Sequence, residues 1–510
     1  MHLSHVILRA ANNNPRGGGT AFAGRRQTWS EFVDRVSRLA EGLRHAGVRP
    51  GARVAVISQN SDRYCELIFA INWAGGVVQL VNMRLAPAEM VDQIEDSGAH
   101  FVVTDEAGSL AIAPLRASLS AKQWIDIGET AGEDTGYAAL LEQGCMNEPF
   151  AAASDAFALL FYTGGTTGRP RGVMLSNRNL VSCALSQSAA LPMGKDDISL
   201  HALPMFHVGA ISGMMVGIVG GGGHRFLARF DPLTFMQTIV EEGVTRTSLG
   251  PTMVKMMLDH PSFDSFDLSS LRRLHYGSAP ISEALLEEVI RKLPNVGLIQ
   301  GYGQTETSGV VSMLLQPYHR FSGPSGGKLR SAGQSVPGLD LRVVGIDGLV
   351  VPQGSTGELE VRGDSVMLGY WQRPEETAKA FHDGWLRTGD IAWFDKDGFL
   401  YIADRLKDMI ITGGENVFSS EVENALLRHD EVTECAVFGI PSERWGETVH
   451  AVVRRAADST IDEAGLIAHC SMLIARFKCP KSIAFRSEAL PLSGVGKTLK
   501  TELRAQYLQA

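Results

Sequence analysis

Short β-branched runs alternate with amphipathic stretches across the first 300 residues of this chain. "ARVAVIS" (52–58), "HFVVTD" (100–105) and "AFALLFY" (156–162) are apolar runs of strand length, the pattern of strands buried on both faces. "WSEFVDRVSRLAEGLRHAG" (29–47) instead spaces its apolar residues for a helix, with Gly47 as its stop. The alternation predicts an α/β fold of parallel-rich sheets with helices on both faces. After about residue 330, "LRVVGIDG" and "GELEVRG" read as short strands and turns of a small β-rich subdomain. Near residue 405 the charged connector "DRLKDMIITGGENV" opens a fresh αβ pattern. A chain of 510 residues exceeds what one core supports. The expected division is a large N-terminal domain over 1–404, a hinge over 405–408, and a smaller mobile α+β C-terminal domain over 409–510.

Composition narrows the function classes. Net charge is −9 and no long basic stripe occurs, so nucleic acid is not expected as a partner. Six cysteines lie scattered without paired spacing, which fits reduced thiols better than a disulfide frame or a zinc site. The N-terminus lacks the basic and apolar regions of an export signal. The longest apolar run (208–223) is glycine-rich and too short to span a bilayer, so no integral membrane segment is expected. These features point to the cytoplasm, and they leave a homodimer open.

One loop points to chemistry. "FYTGGTTGRPRGVMLS" (161–176) ends an apolar run in Gly and Thr, with Arg169 and Arg171 after it. Glycines permit close backbone approach, hydroxyls and N–H groups donate, and arginine supplies charge: a recipe for holding phosphate. Taken alone, the same residues also suit a solvent-exposed hairpin. Two other matches carry nothing. "PLSGVGKT" (491–498) has Pro491 where a phosphate loop needs its first glycine, and "GPSGG" (323–327) lies in a polar loop, not at a nucleophile elbow.

Six segments occur in register: "YTGGTTGRPRG" (162–172), "GYGQTET" (301–307), "GYWQRPEETAKAF" (369–381), "GWLRTGD" (384–390), "DGFLYIADRLKDMIITGGENV" (398–417) and "GKTLKTELR" (496–504). Together they resemble the adenylate-forming superfamily, in its acyl- and aryl-CoA synthetase branch, over nearly the whole chain. The resemblance implies a two-step ligase. A carboxylate first takes AMP from ATP, releasing pyrophosphate, and a thiol then displaces AMP. No covalent enzyme nucleophile is needed.

The resemblance also implies residue roles. Thr163, Gly164, Gly165, Thr166, Thr167 and Gly168 would cradle the β- and γ-phosphates. Gly164 and Arg171 depart from the Ser and Lys usual there, losing a hydroxyl and changing the geometry of a charge. Tyr302 would stack on adenine, Thr305 would bond the α-phosphate, and Glu306 would coordinate Mg²⁺. Ser278 and Ala279 would wall the adenine, Asp390 would accept from the ribose hydroxyls, and Arg405 would lie near ribose and phosphate. Lys497 would bridge the carboxylate and α-phosphate as charge builds, whereas Lys500 reads as a solvated lysine. Lys407 falls at the hinge about which the C-terminal domain would turn, bringing Gly413 and Gly414 to admit a pantetheine arm.

Gly209, Gly213 and Gly217 share one helix face in "PMFHVGAISGMMVG" (204–217), which either allows close packing or leaves room for an acid. With Gly277 and Gly301 they would line the acid pocket, and His207, standing where amino-acid-activating relatives carry Asp, would border the acid and gate the thiol. Coenzyme A is the expected acceptor, with Arg84, Trp445, Lys478 and Lys481 as its contacts. The expected function is an ATP-dependent carboxylic acid–CoA ligase for an apolar acid, aromatic or medium-chain. Its rival is a freestanding adenylase that loads a carrier protein. A luciferase-like oxygenase or a non-catalytic scaffold is disfavoured, the latter because Glu306, Asp390, Arg405 and Lys497 are all present.

Overall fold

The computed structural model describes residues 1–510 except 121, 129–134, 164–169, 280, 324, 457–458, 493–497 and 510. Four sheets organise them. The first has eight strands and is parallel through Val77–Leu80, Arg53–Ile57 and Phe101–Thr104. All three segments read as buried strands lie in it, the third as Phe157–Thr163. That strand pairs antiparallel with Arg171–Ser176, and the pair Thr163↔Arg171 brackets the Gly/Thr segment.

The second sheet has nine strands. It runs parallel from Arg273–Gly277 through Arg246–Leu249, Ile198–His201 and Gly223–Phe226 to Gly19–Phe22. Helix Trp29–His45 forms as its spacing predicts. A reciprocal Thr28–Glu31 capping box starts it, and Trp29, Phe32, Val36, Leu39 and Leu43 are fully buried. Each such side chain contributes about 1.5–3 kcal/mol of transfer free energy.

The third sheet is antiparallel: Leu339–Val344, Gly357–Gly363, Trp385–Phe394 and Phe381–His382, with Leu400–Arg405 on Trp385–Phe394. It is the β-rich subdomain expected after residue 330. The fourth, Ile410–Thr412, Glu415–Val417, Val432–Ser442, Gly446–Arg455 and Ser482–Arg486, packs with helices Ser419–Leu426 and Glu463–Leu473 around a core of its own. Between the third and fourth sheets the chain makes a tight turn, in which Asp408 N–H and Met409 N–H both donate to Arg405 C=O. Asp404, buried at the start of this turn, accepts from Ser419 N–H, and Arg428 pairs with Glu283 of the large half at 3.0 Å. Among the described residues no helix is long and apolar enough to cross a membrane.

Candidate active site

Strands Arg273–Gly277 and Gly297–Gln304 lie side by side in the second sheet, in register at Gly277↔Gly301. A Cβ at Gly277 would sit 2.4 Å from Gly301 C=O, so this crossing requires glycine. The next residue, Ser278, holds φ +66°, a conformation uncommon outside glycine and one that collects at functional sites. Strand Gly297–Gln304 carries Tyr302 and runs into the short turn Thr305–Thr307, closed by Ser308 at φ +60°. The "GYGQTE" side chains therefore leave the end of the strand together.

Three elements meet at Asp390. Its carboxylate is almost wholly buried and accepts from the Tyr302 hydroxyl at 2.5 Å. It also pairs with Arg405 Nε at 2.7 Å, across the strand pair that sets Asp390 opposite Arg405. Burial, then the neighbouring Asp390 charge, pushes the Tyr302 phenol far above its ordinary value. Burial works against the Arg405 charge, but Asp390, Tyr302 and Glu306 outweigh it and hold its pKa up.

A second chain of contacts joins the metal candidate to the end of the phosphate segment. Tyr370 donates to Glu306 Oε1 at 3.0 Å, Arg171 lies 4.4 Å over the Tyr370 ring, and Arg171 pairs with Glu376 at 3.6 Å. Sequence reasoning quoted the segment holding Tyr370 and Glu376 but gave neither a role. Their signal was there, as a phenol and a carboxylate beside a motif otherwise rich in Gly and Arg. It also missed Asp96, which accepts from Tyr162 at 2.6 Å and pairs with Arg373 at 2.8 Å, fixing the strand before the Gly/Thr segment to the segment after Tyr370. Gly164, Gly165, Thr166, Thr167 and Gly168 lie outside the described residues, as does Lys497. Thr163, just before them, directs its hydroxyl at Arg171 C=O, 3.5 Å away.

Helix Val208–Gly220 forms the facing wall, with His207 at its N-cap and the His207 ring edge-on to Phe206 at 4.6 Å. The guanidinium of Arg84, an exposed residue, lies 5.9 Å from the Phe206 ring, and desolvation lowers its pKa. Cβ atoms built at Gly209 and Gly213 would stand 3.6 Å from Ser278 Oγ and 3.5 Å from Ser248 Oγ. The two glycines thus face the sheet across one layer of small side chains. Gly209 lies beside Ser278, which follows Gly277 and its cross-strand partner Gly301, while Gly213 lies beside Ser248 and His207 stands at the start of the helix.

The C-terminal candidates sit apart from this cluster. Gly413 packs under Trp445, where a Cβ would come within 2.9 Å of the indole, and its N–H donates to Trp445 C=O. Lys478 is not a lone cation, because both Glu421 oxygens accept from it at 2.8 Å. Lys481 donates to Arg476 C=O at 3.3 Å, and Lys407 is exposed in the turn after Arg405. Lys500 corrects the reading of a solvated lysine. It pairs with Glu423 at 2.7 Å and donates to Ser419 Oγ at 2.6 Å, so its ammonium ties the C-terminal helix to the start of Ser419–Leu426.

The arrangement is a buried polar cluster of Tyr302, Asp390 and Arg405, with helix Val208–Gly220 turning Gly209 and Gly213 toward the sheet nearby. The model of the family described as "AMP-binding enzyme" matches residues 8–371, and that of "AMP-binding enzyme C-terminal domain" matches 421–497. A feruloyl-CoA synthase from an Amycolatopsis species is 38% identical over 98% of both chains. The long-chain-fatty-acid–CoA ligase FadD13 of Mycobacterium tuberculosis is 35% identical over 94% of this chain and 93% of its own. The structure of o-succinylbenzoate CoA synthetase from Bacillus subtilis, in complex with its acyl-adenylate intermediate, superposes with a TM-score of 0.85 at 29% identity, covering 98% and 97% of the two chains. This chain belongs to the AMP-binding enzyme family. Within that family it is an enzyme of the AMP-forming acyl-CoA synthetase class.

Proposed function

We propose that this enzyme activates an apolar carboxylic acid, aromatic or medium-chain, as its acyl-AMP and transfers the acyl group to coenzyme A. The observation that carries this reading is the convergence of Tyr302 and Arg405 on the one buried carboxylate of Asp390, with Glu306 close enough to act on the Arg405 charge. Tyr302 offers a flat ring for adenine, and Asp390 offers two acceptor oxygens for a diol. Arg405 shares Asp390 in the pose described here, so ribose takes over oxygens that the protein already satisfies. Thr305 stands at the strand end to bond the α-phosphate, with Ser278 and Ala279 walling the base.

Mg²⁺ fits the donor set: one carboxylate, Glu306, with substrate phosphates completing the shell is a common way to hold that ion. When bound, the ion neutralises charge on the phosphates. Arg171 is held near the same place by Tyr370 and Glu376, and Thr163 to Gly168 are the residues proposed to cradle the β- and γ-phosphates. Lys497 supplies the cation of the first half-reaction, and a turn about Lys407 then exchanges it for Gly413 and Gly414. Arg84, Trp445, Lys478 and Lys481 are the proposed coenzyme A contacts. For Lys478 this means sharing its charge with Glu421.

The test is AMP release from ATP across benzoates, cinnamates and C4–C12 fatty acids, with and without coenzyme A. AMP formed only with coenzyme A, and with one acid class dominant, supports the reading. Pyrophosphate without AMP, even with coenzyme A, overturns the acceptor and favours loading of a carrier protein.

A further inference from the structure

One carboxylate outside the nucleotide cluster holds both flanks of the phosphate segment. Strand Arg171–Ser176 lies between strand Phe157–Thr163 and the short strand Gly369–Tyr370, with Tyr162 opposite Gly172 and Tyr370 opposite Val173. The residues proposed to cradle the β- and γ-phosphates join the first two of these strands. The third carries Tyr370, whose hydroxyl donates to Glu306.

Asp96, at the end of helix Pro87–Ser97, ties the two outer strands together. Its Oδ2 accepts from the Tyr162 hydroxyl at 2.6 Å, and its Oδ1 accepts from Arg373 Nη2 at 2.8 Å. Its backbone C=O accepts from Trp371 Nε1 at 3.0 Å. Trp371 in turn donates its N–H to Gly172 C=O at 2.7 Å. A Cβ at Gly172 would stand 3.2 Å from Trp371 Cβ and 3.3 Å from Tyr162 Cζ. Tyr162 and Trp371 therefore meet over the middle strand at the point where it has no side chain.

Arg373 is shared between two acids. Besides Asp96 it reaches Glu376 at 3.9 Å, and Glu376 reaches Arg171 at 3.6 Å. Alternating charges thus run from Asp96 through Arg373 and Glu376 to the arginine proposed to meet phosphate, which lies over the Tyr370 ring. Asp96 is the nearer acid, so it draws Arg373 off Glu376 and leaves Glu376 to Arg171. Without it, Arg373 would fall back on Glu376 and compete with Arg171. A tie that only held the sheet together would need no charge here, because any amide or carbonyl oxygen could accept from Tyr162 and Trp371.

We propose that Asp96 is a positioning residue for ATP. It touches no substrate. It sets Tyr162 and Arg373, and through them Arg171 and the segment bearing Tyr370, in the arrangement that receives the β- and γ-phosphates. This rests on the nucleotide reading above and deepens it.

The experiment compares two nucleotides that differ only in those phosphates. Calorimetry on the full-length enzyme gives the Kd of ATP, with Mg²⁺, and of AMP, for wild type, Asp96→Ala, Asp96→Asn and Asp96→Glu. AMP reports the Tyr302, Asp390 and Arg405 cluster and so serves as the internal control for folded protein. Asp96→Ala should weaken ATP by about tenfold or more and AMP by less than about twofold, the loss expected when a supporting residue lets a binding group shift. The kcat/KM for pyrophosphate release should fall with the ATP affinity. Asp96→Asn keeps an oxygen for the Tyr162 hydroxyl but no charge for Arg373, and it should show most of the same selective loss. Asp96→Glu, which keeps the charge, should recover part of it. Equal weakening of ATP and AMP, or of neither, overturns the proposal, as does an Asp96→Asn enzyme with the wild-type ratio of the two affinities. Should Asp96→Ala not fold, the Asn and Glu variants make the same comparison. If wild-type enzyme binds neither nucleotide, the nucleotide reading itself falls and the proposal with it.

Discussion

The Tyr302 hydroxyl donates to Asp390 over 2.5 Å, from a strand of the nine-stranded sheet to a strand of the antiparallel subdomain. This bond joins two layers that the chain builds about 90 residues apart. It also aims the Tyr302 ring, since a buried phenol bonded at its tip cannot turn away from the space above Asp390.

The bond can be separated from the ring. Tyr302→Phe keeps the flat surface and should raise the KM for ATP only a few-fold. Asp390→Ala removes both acceptor oxygens and leaves Arg405 uncompensated, so the KM should rise about tenfold to a hundredfold, as for loss of hydrogen bonds to a charged group. Steady-state ATP kinetics check both, and equal effects would contradict the assignment of the carboxylate to ribose.

Lys497→Ala should abolish acyl-adenylate formation while sparing thioester formation from a supplied acyl-adenylate. Pyrophosphate release and coenzyme A consumption, assayed separately, read the two halves. Equal loss in both would sink the division of labour between the two poses.

Two glycines of one helix face should respond with opposite signs. Gly213→Ala meets only an ordinary contact, 3.5 Å from Ser248 Oγ. Stability should rise by up to about 1 kcal/mol from helix propensity, while use of the bulkier acids falls. Gly217→Ala drives a Cβ to 2.7 Å from the buried His224 ring and should destabilise by about 1–3 kcal/mol. Thermal unfolding paired with an acid panel distinguishes the two outcomes.

Burial pushes the His201 pKa down to about 3, with Arg246 adding to the effect, so His201 is neutral in the folded protein at any pH above that. In the unfolded chain it takes a proton near its ordinary value of about 6.5. Its contribution is intact above pH 6.5 and is lost progressively as pH falls toward 3, reaching a penalty of about 2 kcal/mol by pH 5. Unfolding midpoints from pH 8 to pH 5 should therefore fall. His201→Gln, which cannot charge, should flatten the slope.

Much of the architecture is legible in the sequence because strands buried on both faces leave no ambiguity. The runs at 52–58, 100–105 and 156–162 all form strands within a residue or two of their predicted ends. Helix 29–45 is equally plain, since its cap and its apolar stripe agree. Site residues inside fixed motifs, such as Asp390 and Tyr302, also come together as expected. Contacts between segments distant in sequence were not legible. Nothing local marks Lys500 as the partner of Glu423, 77 residues earlier, and a lysine on a polar helix looks solvated until the fold supplies its acid. Asp96 is invisible for the same reason: the two partners of its carboxylate, Tyr162 and Arg373, come from other segments.

The glycine face of helix Val208–Gly220 also bears on how such an enzyme can diversify. At Gly209 and Gly213 the nearest atoms leave room for a methyl group, whereas at Gly217 they do not. Two of the three positions are therefore open to single-codon drift to alanine, the first in contact with Ser278 and the second with Ser248. The third is pinned by the histidine beneath it. On the proposed acid-pocket reading, substitutions along this face can narrow the site in two discrete steps, at Gly209 and Gly213, but not at Gly217, where the His224 ring already fills the space.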